Sequence, residues 1–419
     1  MFIQIHMLQS VPPGNLNRDD TGQPKKCIFG GVTRGRISSQ CLKRHIRHSL
    51  QFKEAFGDPL DRTVRTTYLP RMVADELKKI KPEISEEELN KIKAALASKF
   101  IKAEKSKGES DEEGENNENQ EQPQSKSAPT DATDQTGQLV FFPPPFAKEI
   151  ALLVSNLMDT KREVFQVWAD GKKSKKKEKD QYKNDLKKFE GEIFKKSEKL
   201  TVDIGLFGRM TTSDLVVNVE AACQVAHAIS THEVIIESDY FTAMDDKKEE
   251  FASTQTERAG AAFLSSDATY FNSAVYYKYF NLDVAALKEH LKDESVAQAA
   301  AGVLVRAAAG VNPTGKQNSF AAHGVPELIL VEVSKAKHPI SYANAFLKPV
   351  NGSDFMAESA KALNDYVNTV AKAFVPKEMD RVLLAVGSAS VIIEGAERVD
   401  TIDALVNLVI GLLPQGGSV

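Results

Sequence analysis

The stretch NLNRDDTGQPKKCIFGGVTRGRISSQCLKR (15–44) decides how this chain is read. It opens as a turn-rich loop, with Gly22 and Pro24 as breakers. It then passes through a loop or short strand marked by Gly30-Gly31, and ends at Ser38 and Ser39. Either serine can N-cap the helix expected over SSQCLKRHIRHSLQF. Just before it, FIQIHML (2–8) sets Ile3, Ile5 and Met7 on one face, the alternation of a strand. In the expected helix Leu42, Ile46 and Leu50 recur every four residues as a buried stripe. Lys43 with Arg47, and Arg44 with His48, keep that spacing on other faces and present a row of positive charge.

The charge pattern extends this reading. The 419 residues carry 54 Lys+Arg and 58 Asp+Glu, a net charge of −4. Residues 104–138 hold ten acids and three bases; the remainder has 51 bases against 48 acids. The first fifty residues alone carry eight cations (Arg18, Lys25, Lys26, Arg34, Arg36, Lys43, Arg44 and Arg47) against Asp19 and Asp20. Such a patch is either a phosphate-binding footprint or a solvated charged face. The tract 104–138, whose hydrophobic residues are only Ala128 and Ala132, is expected to be a disordered loop. Three widely spaced cysteines, with no C-x-x-C pair, point to a reducing cytosol. No apolar run approaches a membrane span, and the N-terminus lacks the pattern of a secretory signal.

Further along, helices are expected over 70–101 and near 146–158, and nine lysines crowd residues 172–188. TVDIGLFGRM (201–210) reads as strand then loop. LVVNVEAACQVAHAIS (215–230) starts as a possible strand and ends as a helix enclosing Ala222, Cys223, Ala226 and Ile229. Strands are expected over HEVIIES, YFNSAVYYKYFNLD, ELILVEVS and DRVLLAVGSASVII, with helices near 283–291, 293–308, 354–374 and 402–413. This interleaving lacks a regular βαβ rhythm, so the fold class is α+β.

Few motifs point to catalysis. GVNPTGKQ (310–317) has Walker A spacing, but Gln317 stands where Mg²⁺ needs a hydroxyl, and a helical segment precedes it. A loop offering N–H groups and Lys316 to a phosphate remains. His227 and His232 are five apart, wrong for two ligands on one helical face, and His6 reads as a structural residue on a strand. Asp19-Asp20 and Asp245-Asp246 offer oxygens to a divalent ion, or are solvated loop acids. Tyr270, Phe271, Tyr276, Tyr277, Tyr279 and Phe280 offer stacking platforms for bases, or are core. No cofactor or metal is expected.

Several segments together resemble one family: 15–44, VDIGLFGRMTTS (202–213), AHAISTHEVIIESDYFTAMDD (226–246), FNSAVYYKYFNLD (271–283), GKQNSFAA (315–322) and SYANAF (341–346). They resemble CasC, the repeated backbone subunit of type I-E CRISPR Cascade complexes. The resemblance implies an RRM-like (ferredoxin-like) palm over 1–55 and 201–419, with a thumb loop at 238–264. A helical fingers insertion would occupy 56–200. It implies a cytoplasmic, non-enzymatic subunit that oligomerises along a guide RNA (crRNA), kinks it at regular intervals and supports pairing with target DNA in antiviral defence. The implied partners are copies of itself, the crRNA 5′-handle subunit, the large and small subunits and the crRNA-processing endonuclease.

On that pattern the RNA-binding residues are Arg18, Lys25, Arg34, Arg36, Ser38, Gln40, Lys43, Arg44, Arg47, Arg209, Met210 and Lys316. Met210 would wedge beside a displaced nucleotide, and Phe241 and Thr242 would form the thumb tip. Lys183, Lys187 and Lys188 would face target DNA. The alternative is a type III-like backbone subunit, in which Asp19 or Asp20 supports metal-dependent cleavage of target RNA.

Overall fold

The computed structural model describes residues 1–56, 63–100, 134–171, 174–211, 213–240, 246–247, 269–374 and 378–414. The chain opens with β1 (Phe2–Gly14), β2 (Lys26–Phe29), β3 (Val32–Ile37), α1 (Ser39–Arg47) and α2 (Leu50–Phe56). Next come β4 (Val64–Thr66), α3 (Leu69–Ile80), α4 (Glu86–Lys99) and β5 (Val140–Phe142). Five helices follow: α5 (Phe146–Thr160), α6 (Arg162–Asp170), α7 (Lys176–Gln181), α8 (Lys183–Ser197) and α9 (Val202–Phe207). Then come β6 (Cys223–Val225), β7 (Ala228–Ser230), β8 (Glu237–Asp239), β9 (Thr269–Asp283), α10 (Val284–Leu291), α11 (Glu294–Gly310) and α12 (Gln317–Phe320). β10 (Pro326–Ser334), α13 (Phe355–Phe374), β11 (Met379–Ala385), β12 (Ala396–Val399) and α14 (Ile402–Gly411) complete the described elements. The fold is α+β.

Two compact units result: Met1–Gly57 with Ala222–Val419, and Asp58–Ala221. In the first unit the strands run β12-β11-β10-β1-β9-β7-β3-β2, with β6 and β8 also paired to β9. β1 is antiparallel to both β10 and β9, and among the described strands only β11 with β12 is parallel. Residues 2–9 of β1 are all buried, so both of its faces are covered. Ile3, Ile5 and Met7 point to one face. Gln4, His6 and Leu8 point to the other, where α13 supplies Met356, Ala360, Leu363 and Val367 to the core.

That second face hides a polar network. Tyr277 Oη lies 2.8 Å from His6 Nδ1, and Tyr279 donates to Gln4 Oε1 at 2.8 Å. Tyr342 donates to both Glu332 oxygens, Arg381 Nε donates to Glu332 Oε1 at 2.8 Å, and His6 Nε2 lies 3.4 Å from Glu332 Oε2. Burial alone would raise the Glu332 carboxyl; His6 and Arg381 outweigh it and hold the group below its ordinary value. The carboxylate therefore stabilises the fold above its unfolded value near pH 4.3, and that contribution is lost as pH falls through the depressed folded value. Glu332→Gln leaves the largely enclosed Arg381 without its carboxylate and is expected to cost about 3 kcal/mol. Urea midpoints measured from pH 7 down to pH 3 check this: the variant starts lower and loses less on acidification.

The second unit is helical around one core, in which Trp168 packs edge-on against Phe189 at 5.2 Å. It extends to Ala221, beyond the expected limit at residue 200. Arg209 explains the extension: its guanidinium donates to the carbonyls of Val217, Phe141 and Ser197 and so binds 201–221 to the insertion.

Several local expectations are corrected. The helix after Ser38 stops at Arg47. Ser49 then caps α2 through Phe52 N–H, which shifts the phase, so Phe52 is buried and Leu50 is 62% exposed. Residues 202–207 are helical, anchored where Thr63 and Thr201 both donate to Asp203. Residues 223–230 form two strands, because β9 offers its edge; Cys223 and Val225 point in and Gln224 out. Of HEVIIES only Glu237 and Ser238 are in a strand, the latter half of the segment's end, and Ile235 is exposed. β1 runs on to Gly14 through two register shifts, the 70–101 helix divides at Lys81–Ser85, and β11 ends at Ala385 before the left-handed Gly387. The strands over 269–283 and 326–334 and the helices near 283–291, 293–308, 354–374 and 402–413 form as expected. Most of 104–138 and of the 238–264 loop lies outside the described residues.

Candidate nucleic-acid interface

The interface is built on the start of α1. Ser38 Oγ accepts from Cys41 N–H at 3.3 Å, and Asn17 Oδ1 accepts from Ser38 N–H at 2.8 Å. Ser38 is therefore a buried cap, while Gln40 is exposed. The first turn carries no acid, so its N–H groups and helix dipole favour an anion.

The loop before α1 lies along β3. Lys25 N–H donates to Asn17 O, and Arg36 N–H donates to Lys25 O, each at 2.8 Å. Electrostatics show which cations gather here. Burial pushes the Cys41 thiol up, against the pull of Lys25 and Arg44. Burial, Arg36 and Lys25 together push His227 below its ordinary value. Burial raises the Cys223 thiol to about 12, and Lys43 is the charge opposing it. Lys25, Arg36, Lys43 and Arg44 thus neighbour the elements around α1, and none pairs with a carboxylate among the described residues. Such a surface neutralises phosphates.

His227 is a member of this surface that the sequence reading missed. It is exposed, and its Nδ1 lies 3.2 Å from Arg36 Nη1. With its pKa lowered the ring is neutral at pH 7, so Nδ1 accepts from Arg36 and Nε2–H is left to donate. A helix over 223–230, as the sequence suggests, would not bring His227 to Arg36. As two strands the segment sets Arg36 opposite Ile229, two residues from His227.

The Gly/Lys loop joins the same surface. His45 Nδ1–H donates to Cys41 O at 2.8 Å, and its Nε2 accepts from Thr314 N–H at 3.0 Å, which ties the loop to α1. A Cβ on Gly315 would lie 2.5 Å from Leu16 O, so only glycine permits this approach. Lys316 is half-exposed in a left-handed conformation and opens the four-residue α12. The segment follows α11 and not a strand, in disagreement with a Walker A loop. Arg18 is exposed in the turn of 17–25.

Three expected RNA-binding cations are instead structural. Arg34 is fully buried and donates to the carbonyls of Phe29, Ser230 and Phe346. Arg47 is 7% exposed on the inner side of α1. Arg209 is 3% exposed and pushed down to about 10 by burial, its donors spent on three carbonyls. The reason is common to all: the guanidinium is consumed or enclosed by its own chain.

In the second unit Met210 is 87% exposed, and Lys183, Lys187 and Lys188 are exposed on α8. Phe241 and Thr242 lie outside the described residues. Tyr276, Tyr277, Tyr279 and Phe280 are buried, so these rings are core and not stacking platforms, and His6 is structural. Asp19 Oδ1 accepts from Thr21 N–H, Thr21 Oγ1–H and Gln23 N–H, holding its own turn, while Asp20 is exposed. Among the described residues no three His, Cys, Asp or Glu side chains gather as a metal site.

Fold and surface define an α+β protein with a cationic face around a helix N-terminus, suited to a polyanion. The chain belongs to the family of CT1975-like proteins, which matches residues 3–408. It is similar to a chain of the solved "CRISPR RNA-guided surveillance complex, pre-nicking", with 27% identity and a TM-score of 0.71, covering 98% of this chain and 99% of that one. A chain of a second "CRISPR RNA-guided surveillance complex" shares the fold at 22% identity and a TM-score of 0.65, covering 99% of this chain and 100% of that one. No curated protein matches. The chain is CasC-like, as its motifs implied.

Proposed function

We propose that this chain is a crRNA-binding backbone subunit of a type I-E Cascade complex. Copies line up along one guide RNA, kink it at regular intervals and leave short segments to pair with target DNA. The observation that carries this reading is the surface of Lys25, Arg36, Lys43 and Arg44 around the acid-free start of α1. It offers cations and N–H groups to phosphates, so the guide supplies the sequence and the protein the grip.

The strand order β10-β1-β9-β7, with α1 after β1 and α11 after β9, supports an RRM-like palm. The exposed Met210 supports a wedge beside a displaced nucleotide. The thumb role of Phe241 and Thr242, and target-DNA contacts by Lys183, Lys187 and Lys188, belong to the same proposal. The partners are other copies and the remaining Cascade subunits. In this reading the subunit holds nucleic acid without cutting it, and Asp19, one of the two candidate aspartates, holds its own turn through Oδ1. No helix among the described residues is long and apolar enough to cross a membrane.

A salt titration tests the grip. Each phosphate contact to single-stranded RNA contributes about −0.7 to the slope of log affinity against log salt, so four contacts give a slope of about −3. Filter binding of the full chain to short RNA between low and moderate salt is expected to show it; a flat response contradicts the proposal.

A further inference from the structure

The segment 311–324 between α11 and β10 contains just the short α12, yet hydrogen bonds and close packing pin it along its length. At its base Gln9 Nε2 donates to Asn312 Oδ1 at 2.7 Å and to Gly324 O at 2.8 Å, and Asn312 Nδ2 donates to Gly324 O at 2.7 Å. Further in, Gln317 Nε2 donates to Pro313 O at 3.0 Å and to Ala322 O at 3.1 Å. The loop meets α1 through His45. A backbone N–H can only donate, so the 3.0 Å contact with Thr314 N–H makes Nε2 the acceptor and leaves the proton on Nδ1, which donates to Cys41 O at 2.8 Å. Thr314 Oγ1 lies 3.1 Å from the same Nε2. Cys41 stands in the first turn of α1, its own N–H capped by Ser38. Both ring nitrogens are thus occupied, one by the helix and one by the loop, and Lys316 follows two residues after Thr314.

We infer that His45 is a positioning residue for the guide: its ring fixes the Gly/Lys loop against the first turn of α1, so that Lys316 and the cations of α1 hold one RNA strand as a unit. This rests on the guide-binding reading. His45 itself meets no phosphate; it acts through Thr314. Two observations favour the role. Lys316 has a φ of 52°, a left-handed conformation that a residue with a Cβ keeps where its surroundings impose it. A lysine side chain is flexible, so where its ammonium can reach depends on a fixed backbone. Gly315, next to it, packs so tightly on the guide-binding loop that a Cβ would lie 2.6 Å from Asn15 O and 2.5 Å from Leu16 O. The Gly/Lys loop is thereby clasped from two sides, by residues 15–16 and by α1. Cutting the His45 clasp leaves the other in place, so the fold survives while the placement of Lys316 is lost.

A double-mutant cycle on the full chain tests this, with filter binding to a short single-stranded RNA across a salt series. His45→Ala is expected to weaken binding about tenfold and to flatten the salt slope by about 0.7, the share of one phosphate contact. Lys316→Ala is expected to do the same. The double variant is expected to be no weaker than either single one, because both remove the same contact. His45→Gln sets an amide oxygen near the place of Nε2, where it can accept from Thr314 N–H, and is expected to bind like the parent. Circular dichroism of every variant stays native, since His45 is half-exposed and the buried Leu42 and Ile46 of α1 are untouched. Losses that add in the double variant, an unchanged slope in His45→Ala, or His45→Gln as weak as His45→Ala overturn the inference. Lys43→Glu with Arg44→Glu separates it from the guide-binding reading. Release of RNA by that variant alongside additive losses at His45 and Lys316 sinks the inference alone; RNA retained by it sinks both.

Discussion

Reversing Lys43 and Arg44 to glutamate releases guide RNA from the purified protein while its circular dichroism spectrum stays native. Neither cation is in the core or in an ion pair among the described residues, so the fold has little stake in them. Both stand on α1, whose opening N–H groups and dipole already favour an anion. Each reversal removes one attraction and adds one repulsion, and hydrogen bonds to charged groups contribute about 1.5–3 kcal/mol apiece. The pair is therefore expected to lower RNA affinity at least about a hundredfold. The ratio of absorbance at 260 and 280 nm of the purified protein checks it. Arg47 is left out of the variant because its burial would mix unfolding with loss of binding.

The opposite pattern is expected for Arg34→Ala. Arg34 lies in the same basic stretch but faces inward, and burial lowers its pKa. Its three bonds join the β2–β3 hairpin, β7 and the turn at Phe346. Beside it Gly30 approaches Leu347 O so closely that a Cβ would lie 1.7 Å away. Truncating Arg34 leaves three carbonyls without their donor, at about 1–3 kcal/mol for each group that stays buried. A loss of about 3 kcal/mol or more in urea unfolding is expected, with RNA affinity of the folded fraction nearly unchanged. Affinity lost without loss of stability would return Arg34 to the interface.

These two arginine-rich positions show what was legible in the sequence. Periodicity found β1, β9, β10 and the long helices, because their apolar residues repeat at the period of the element. The motif resemblance points to the start of α1, where Gln40, Lys43 and Arg44 stand outside the core. Spacing says nothing of which way a guanidinium turns, so Arg34, Arg47 and Arg209 were read as binders when their own chain encloses them. His227 was missed for a related reason. Its role depends on β7 pairing with β3, a long-range contact that local alanine-rich sequence disguised as a helix. Leu50 failed because a single serine cap resets helical phase.

The central claim is that this chain polymerises on a transcript. Purify the assembly without nuclease and run its extracted nucleic acid on a denaturing gel. The expected result is RNA of one discrete length, protected in regular steps when digested lightly. Particles free of RNA, or carrying fragments of every size with no periodic protection, would contradict it.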